Sequence, residues 1–141
     1  MKETISDACE QEIRSLHGFF ADWYTGRLDE EGFDRFEDAL AVGFEMVTPD
    51  GELLTRDEIL DYVRGKRDTH DRFDIEIRNV EAVEVRRGCA FVRYEEWQTT
   101  DGDAGERNST AETDGRLSTA LFGTDDAPEK VEWLYLHETR L

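Results

Sequence analysis

The chain is poor in lysine and has no long apolar run, and both features limit its function. Only 3 residues are Lys, 14 are Arg and 35 are Asp or Glu, which gives a formal net charge of −18. Nucleic acids and anionic membranes both require clustered positive charge, so neither is an expected partner. No segment reaches the roughly 18 apolar residues of a membrane span. The start, MKETISDACEQE, lacks a signal-peptide core, which predicts a cytoplasmic protein.

Cysteine and metal-binding patterns are also scarce. Cys9 and Cys89 are the two cysteines, and their spacing matches no zinc motif. The chain has no His-x-His or HExxH pattern, no glycine-rich phosphate loop and no nucleophile elbow. We therefore expect no metal and no cofactor, and we interpret the cysteines as buried free thiols.

What the chain does contain is acidity along its whole length, combined with arginine in preference to lysine. This composition is typical of proteins from salt-loving archaea, in which carboxylates keep the surface hydrated in strong brine. We interpret the acidity as a halophilic adaptation; the alternative is an acidic patch for a basic partner. The 141 residues and 11% aromatic content predict one packed domain, residues 1–141.

Apolar periodicity predicts three helices in the first half of the chain. Residues 4–26 repeat apolar side chains at three- and four-residue steps. Asp29 is expected to cap a second helix, whose apolar residues are Phe33, Phe36 and Leu40. A short hairpin around Pro49-Asp50-Gly51 follows, with Phe44 and Met46 on one face. Thr55 and Glu58 form a capping box for a third helix, about residues 56–68.

The second half alternates as strands. Residues 73–86 slip in parity near Val80–Val83, which predicts a bulge, and residues 89–100 place Ala90, Val92 and Tyr94 opposite Phe91 and Trp97. Residues 101–115 are expected to form a long loop, followed by strands at 116–124 and 131–141. In the last strand, alternation groups Trp133, Tyr135, His137 and Thr139 on one face and Leu134, Leu136 and Glu138 on the other.

Segregated helices and strands predict an α+β fold. We expect a strongly bent antiparallel sheet, shaped as a cone, with the three helices of the N-terminal half over its concave face.

This order of elements resembles the nuclear transport factor 2-like superfamily, which includes SnoaL-like and ketosteroid isomerase-like proteins. The likeness is carried by FEMVTPDGELLTRDEIL (44–60), RLSTALF (116–122) and the W-x-x-L-H-E-T run with Trp133 and His137. That run is similar to the closing strand of the calcium/calmodulin-dependent kinase association domains. Where those relatives often carry a second histidine, this chain has Thr139.

The resemblance implies a pocket on the concave face and a homodimer formed through the convex face. A strand with apolar groups on both faces is consistent with this arrangement. Small-molecule binding is then expected in a pocket lined by Phe20, Trp23, Tyr24, Phe36, Phe44, Met46, Tyr62, Val92, Trp133 and Tyr135.

Proton transfer is a second hypothesis for this pocket, with His137, Tyr94 and Glu96 as the catalytic candidates. The alternative for His137 is a structural imidazole, and His17 is expected at the surface or at the edge of its helix stripe. An inward-facing Arg93 or Arg116 would select an anionic ligand, whereas on the convex face the same residue would only pair with neighbouring acids. Three functions stay open: a ligand-binding domain, a lyase- or isomerase-type enzyme, and an oligomerisation module.

Overall fold

The structure, a computed structural model, describes residues 2–100, 112–124 and 130–141. Within these ranges the helices are α1 (Lys2–Tyr24), α2 (Asp34–Glu37) and α3 (Arg56–Arg64), and a 3-10 turn (Glu30–Phe33) precedes α2. The strands are β1 (Leu40–Val47), β2 (Leu53–Thr55), β3 (Phe73–Arg86), β4 (Cys89–Thr100), β5 (Glu112–Gly123) and β6 (Glu132–Arg140). None of the helices in these ranges is both long and apolar enough to cross a membrane.

The strands form one six-stranded sheet in the order β2-β1-β6-β5-β4-β3. The sheet is curved and open, which confirms the predicted α+β cone. The expectation of a purely antiparallel sheet is wrong, because β1 runs parallel to β6. We call the face covered by α1 and α3 the inner face and the opposite face the outer face.

Helix α1 follows its predicted pattern and packs a continuous apolar stripe onto the sheet. Its fully or nearly fully buried side chains include Cys9, Ile13, Leu16, Phe19 and Trp23. The indole Nε1 of Trp23 donates a hydrogen bond to the carbonyl oxygen of Val63 at 2.7 Å, so α1 is tied to α3 without an unpaired polar group.

The predicted second helix is much shorter than its apolar pattern suggested. Asp29 does cap the 3-10 turn, since its side chain accepts a hydrogen bond from the Gly32 amide. The helix ends at Glu37, however, and Leu40 begins β1, where it pairs with Trp133 of β6. Pairing with the sheet therefore decides the conformation of Leu40 against its helical spacing.

Two irregularities set the faces of the sheet. The register of β3 against β4 shifts between Arg78 and Glu84, which confirms the predicted bulge. A second shift, which the sequence did not predict, lies between β5 and β6: Leu121 pairs with Tyr135, whereas Phe122 pairs with Trp133.

The second shift reverses the predicted parity of β6, because one extra residue on one strand moves every later side chain to the other face. Trp133 and Glu138 are buried, whereas His137 and Thr139 are exposed. Strand β4 keeps its predicted alternation, with Ala90, Val92 and Tyr94 buried. Of the predicted loop, residues 112–115 belong to β5 and residues 101–111 lie outside the described residues.

The capping box of α3 gives a direct test of this architecture. The Thr55 hydroxyl accepts a hydrogen bond from the Glu58 amide, and the Glu58 side chain accepts one from the Thr55 amide. We expect Thr55→Ala to reduce the free energy of unfolding by about 1 kcal/mol, because the Glu58 amide at the start of the helix loses its side-chain acceptor. Urea denaturation measures this change.

Thr55→Ser is the matched control, since it keeps the hydroxyl and should stay within about 0.5 kcal/mol of the unmodified protein. Equal destabilisation by the alanine and serine variants would contradict a role for the cap.

Candidate functional site

A cavity of about 120 Å³ lies between the inner face of the sheet and the helices. Its wall is mainly apolar and rich in rings, contributed by Phe20, Tyr24, Phe36, Phe44, Tyr62 and Trp133. An apolar cavity of about 150 Å³ is large enough to bind benzene. The cavity is therefore close to the size of one small ring.

One end of this cavity is polar, and we call it the polar end: His17, Glu96, Gln98, Arg116 and Glu138. Helix α1 contributes the histidine, and strands β4, β5 and β6 contribute the other four. In the sheet, Glu96 lies directly opposite Arg116. On the neighbouring strand pair, Ser118 lies opposite Glu138. The register of three adjacent strands thus brings two carboxylates and one guanidinium together.

His17 also belongs to this site, although the sequence predicted it at the surface or at the edge of its helix stripe. It is only 4% exposed, and its Nε2 lies 2.8 Å from Oε1 of Glu96. Its Nδ1 lies 2.6 Å from the carbonyl oxygen of Ile13, one turn earlier in α1. The periodicity did contain the signal, because His17 is four residues after Ile13 and three before Phe20 on the buried stripe.

Arg116 and Glu138 form the second ion pair of the polar end, in which Glu138 is buried and Arg116 is half-buried. Arg116 Nη1 donates to Glu138 Oε1 at 3.0 Å, and Arg116 Nε donates to Asp114 Oδ2 at 3.1 Å. The Ser118 hydroxyl donates to the other Glu138 oxygen at 3.2 Å. Glu138, which is 4% exposed, is thus oriented by two donors on β5.

The two carboxylates of the polar end have opposite pKa shifts. Burial raises the pKa of Glu138 to about 7, and the charge of Glu96 adds to this effect. Burial alone would also raise the pKa of Glu96, but the charge and hydrogen bond of His17 and the hydrogen bond from Gln98 outweigh it and lower that pKa. The charge of Glu96 in turn holds the pKa of His17 above its ordinary value despite burial.

Two tyrosines lie near these charges. Tyr24 lines the cavity, and burial raises the pKa of its phenol, so its hydroxyl stays protonated and can donate. Tyr94 is fully buried on β4, opposite Ser118, with its ring 5.7 Å from that of His17. Tyr94 packs into the core and does not line the cavity.

Most of the residues predicted for the pocket lie at the cavity wall. These are Phe20, Tyr24, Phe36, Phe44, Met46, Tyr62 and Trp133, together with Glu96. Trp23 and Val92 are buried in the core instead.

His137 and Tyr135 do not reach the cavity, which corrects the sequence analysis. Strand alternation beyond the second bulge turns both side chains to the outer face, and His137 is exposed. The inward position on this strand belongs to Glu138, the neighbour of His137. Uninterrupted alternation predicts Glu138 on the opposite face from Trp133, but the register shift brings both to the inner face.

The mouth of the cavity opens into an acidic depression. Met46, Ile59, Tyr62 and Arg116 border both spaces. The depression also carries the acidic side chains Asp50, Glu52, Glu58 and Asp61. Asp50, at the tip of the β1–β2 turn, accepts a hydrogen bond of 2.6 Å from Arg140 on β6. A molecule that enters the cavity therefore passes a rim dominated by negative charge.

Solved structures with the same architecture are numerous, although no protein-family model matches the sequence and no curated protein matches it. An NTF2-like protein of unknown function from Pseudomonas aeruginosa is 28% identical, with a TM-score of 0.82 over 95% of this chain and 98% of that chain. The chain has the nuclear transport factor 2-like fold.

Two further NTF2-like neighbours have different functions. The association domain of CaMKII from C. elegans is 14% identical, with a TM-score of 0.66 over 95% of this chain and 97% of that one. A type 2 hexachlorocyclohexane dehydrochlorinase is 10% identical, with a TM-score of 0.70 over 98% and 88%. At these identities the likeness shows the NTF2-like fold alone.

Within the three described segments, no group of three or more His, Cys, Asp or Glu side chains has the arrangement of a metal site. The polar end combines a carboxyl group, Glu138, whose pKa is raised to about 7 by burial, with the fixed ion pair of His17 and Glu96, an arrangement that suits proton transfer.

The raised pKa of Glu138 predicts how stability depends on pH. A folded-state pKa above the ordinary 4.5 gives stability that is complete below 4.5 and is lost as pH rises toward about 7. We expect Glu138→Gln to remove this loss, on the order of 3–4 kcal/mol at about 1.4 kcal/mol per pKa unit. Thermal unfolding between pH 5 and 8 should therefore vary less in this variant than in the unmodified protein.

Glu132→Gln is the control, since Glu132 is exposed on the same strand. Its pH profile should parallel that of the unmodified protein. Parallel profiles for the Glu138 variant as well would show that Glu138 does not titrate in this range.

Proposed function

We propose that the cavity binds a small, mainly apolar molecule and that Glu138 transfers a proton to or from it, as in a lyase- or isomerase-type enzyme. The observation that carries the proposal is a pair of buried carboxylates on one cavity wall, one held ionised and the other raised to a pKa of about 7. Carboxylates with pKa values pushed apart by their surroundings are typical of divided acid–base roles.

Glu138 is the better proton acceptor of the two. A general base works best when its pKa lies near the operating pH. Glu96 is held ionised by His17 and Gln98, so it is a weak base, and its charge instead serves to raise the pKa of Glu138. His17 has both ring nitrogens in contact with acceptors and holds Glu96 in place.

The proposed step is proton abstraction from a carbon next to a carbonyl group. The Glu138 carboxylate takes the proton, and the electrons of the C–H bond move into the carbonyl to form an enolate. The Tyr24 hydroxyl, which lines the same cavity, donates a hydrogen bond to the enolate oxygen. Return of the proton to another carbon gives isomerisation, and departure of a neighbouring leaving group gives elimination.

The neighbours are consistent with either binding or chemistry. The dehydrochlorinase, by its name, carries out an elimination in the same fold, whereas the function of the Pseudomonas aeruginosa protein is unknown. Because this fold supports several functions, the chemistry of the polar end supports the proposal more strongly than the structural likeness does.

Deuterium exchange tests the proposal without a known substrate. Cyclohexanone is a neutral six-membered ring with exchangeable hydrogens beside its carbonyl. We expect the protein to accelerate exchange of these hydrogens in D₂O near neutral pH, and Glu138→Gln to slow the exchange at least about 100-fold, the usual contribution of a general base. Proton NMR follows the loss of signal.

His137→Gln is the matched control, since this neighbouring side chain points to the outer face. It should leave the exchange rate unchanged. Binding of cyclohexanone without accelerated exchange would reduce the function to ligand binding, and equal losses in both variants would contradict the role of Glu138.

We also propose that the protein forms a homodimer through the outer face of the sheet. Phe91 is 42% exposed there, and Leu121, Leu134 and Tyr135 are only half-buried. An isologous contact would cover these apolar groups. The CaMKII association domain, whose name describes assembly, supports this proposal.

Light scattering coupled to size exclusion in high salt tests the dimer. We expect twice the 16.3 kDa chain mass, and a single-chain mass for the double variant Phe91→Glu and Tyr135→Glu, because four charges would then oppose one another across the contact. Val42→Glu is the control at an exposed apolar residue outside this patch, and it should remain dimeric. A single-chain mass for the unmodified protein would contradict the proposal.

A further inference from the structure

We infer that the cavity selects a neutral one-ring molecule and rejects carboxylates of the same size, because every positive charge of its polar end is already compensated. This inference rests on the proposed binding function and names the class of molecule that the site accepts. It departs from the expectation, drawn from the sequence, that an inward-facing Arg116 selects an anionic ligand.

The positive charge of Arg116 is already paired within the protein. Its Nε and Nη1 contact two different carboxylates, Asp114 at 3.1 Å and Glu138 at 3.0 Å. The positive charge of its guanidinium is thus paired with two acidic side chains before any ligand enters. An anion placed beside it would also lie close to Asp114, and to Glu138 whenever Glu138 is ionised, and like charges at this range repel.

The charges of the polar end are summed together with Asp114, because this carboxylate contacts Arg116. Arg116 and the His17 imidazolium supply two positive charges, and Glu96 and Asp114 supply two negative ones. With Glu138 protonated the sum is zero, and with Glu138 ionised it is −1. If the proton lies on Glu96 and His17 is neutral, one positive and one negative charge disappear together, so the net charge is again zero or −1. The site is therefore never positive in any of these states.

The acidic depression at the mouth and the apolar wall of the cavity both disfavour a charged ligand. The depression at the mouth carries Asp50, Glu52, Glu58 and Asp61, which disfavour the approach of an anion. The cavity wall beyond it is mainly aromatic and aliphatic. Moving a charged group from water into such a wall costs several kcal/mol unless a partner compensates it. Among the described residues that line this cavity, Arg116 and His17 are the cationic side chains, and both already contact carboxylates. A neutral ring with one hydroxyl or carbonyl group avoids this cost.

Three probes that differ mainly in charge test the inference: benzyl alcohol, benzoate and benzylamine. Calorimetric titrations at pH 6 in 1 M KCl keep Glu138 mostly protonated and screen the overall charge of −18, since the screening length is then about 3 Å. We expect benzyl alcohol to bind at least about tenfold more tightly than either charged probe. Tighter binding of benzoate or benzylamine would overturn the inference and leave the proposed function intact.

A variant can convert the site into an anion site. Asp114→Asn removes one carboxylate from Arg116, so at pH 6, with Glu138 protonated, the polar end is no longer neutralised by Asp114 and carries a net charge of about +1. We expect it to tighten benzoate binding at least about tenfold and to change benzyl alcohol binding little. Glu52→Gln is the matched control, because it removes one negative charge from the mouth at a residue that does not pair with Arg116. The affinity of this variant for benzoate should stay as low as that of the unmodified protein.

Unchanged benzoate affinity in the Asp114 variant would also overturn the inference, since Arg116 would then not be the determinant. If none of the three probes binds at millimolar concentration, while cyclohexanone exchange also stays at the background rate, the proposed function fails and the inference fails with it.

Discussion

Compensation of buried charge across strands β4, β5 and β6 is the constraint on which this structure depends. Glu96 and Glu138 both face a mainly apolar cavity, where an isolated carboxylate would cost several kcal/mol. Arg116 lies on the strand between them, and His17 reaches Glu96 from the helix above. The sheet register and the position of α1 are therefore tied to the electrostatics of the site.

This compensation differs between the two carboxylates, and the difference separates their pKa values. Glu96 has the closer set of donors and stays ionised, whereas Glu138 responds mainly to burial and to the charge of Glu96. Glu96 therefore keeps its negative charge, whereas Glu138 titrates near neutral pH. Among the described residues, the same balance pairs the positive charges at the polar end with carboxylates. The proton transfer and the selection of a neutral molecule that we propose both follow from this one arrangement.

The fold separates the two functions that we propose for the chain. The inner face carries the cavity, and the outer face carries half-buried apolar side chains such as Leu121 and Tyr135. Strand alternation allows both in the same strand, because neighbouring residues serve different faces. Neighbouring structures that differ in function while sharing this fold are consistent with such independence.

Local patterns in the sequence determined much of the fold and most of the cavity wall. The stripe of α1, the capping box at Thr55, the bulge in β3 and the alternation of β4 were all predicted, and aromatic residues such as Phe44 and Trp133 lie at the wall. These features depend on neighbours a few residues away, and side-chain periodicity records them directly.

Only the tertiary structure decided which groups meet at the polar end. The second bulge adds one residue to β6 with no local signature, and it places Glu138 inside and His137 outside. His17 and Glu96 are 79 residues apart, and a chain with 35 acidic residues offers many partners for one histidine. Pairing of buried charges is settled by strand register and helix packing, which exist only once distant segments have come together.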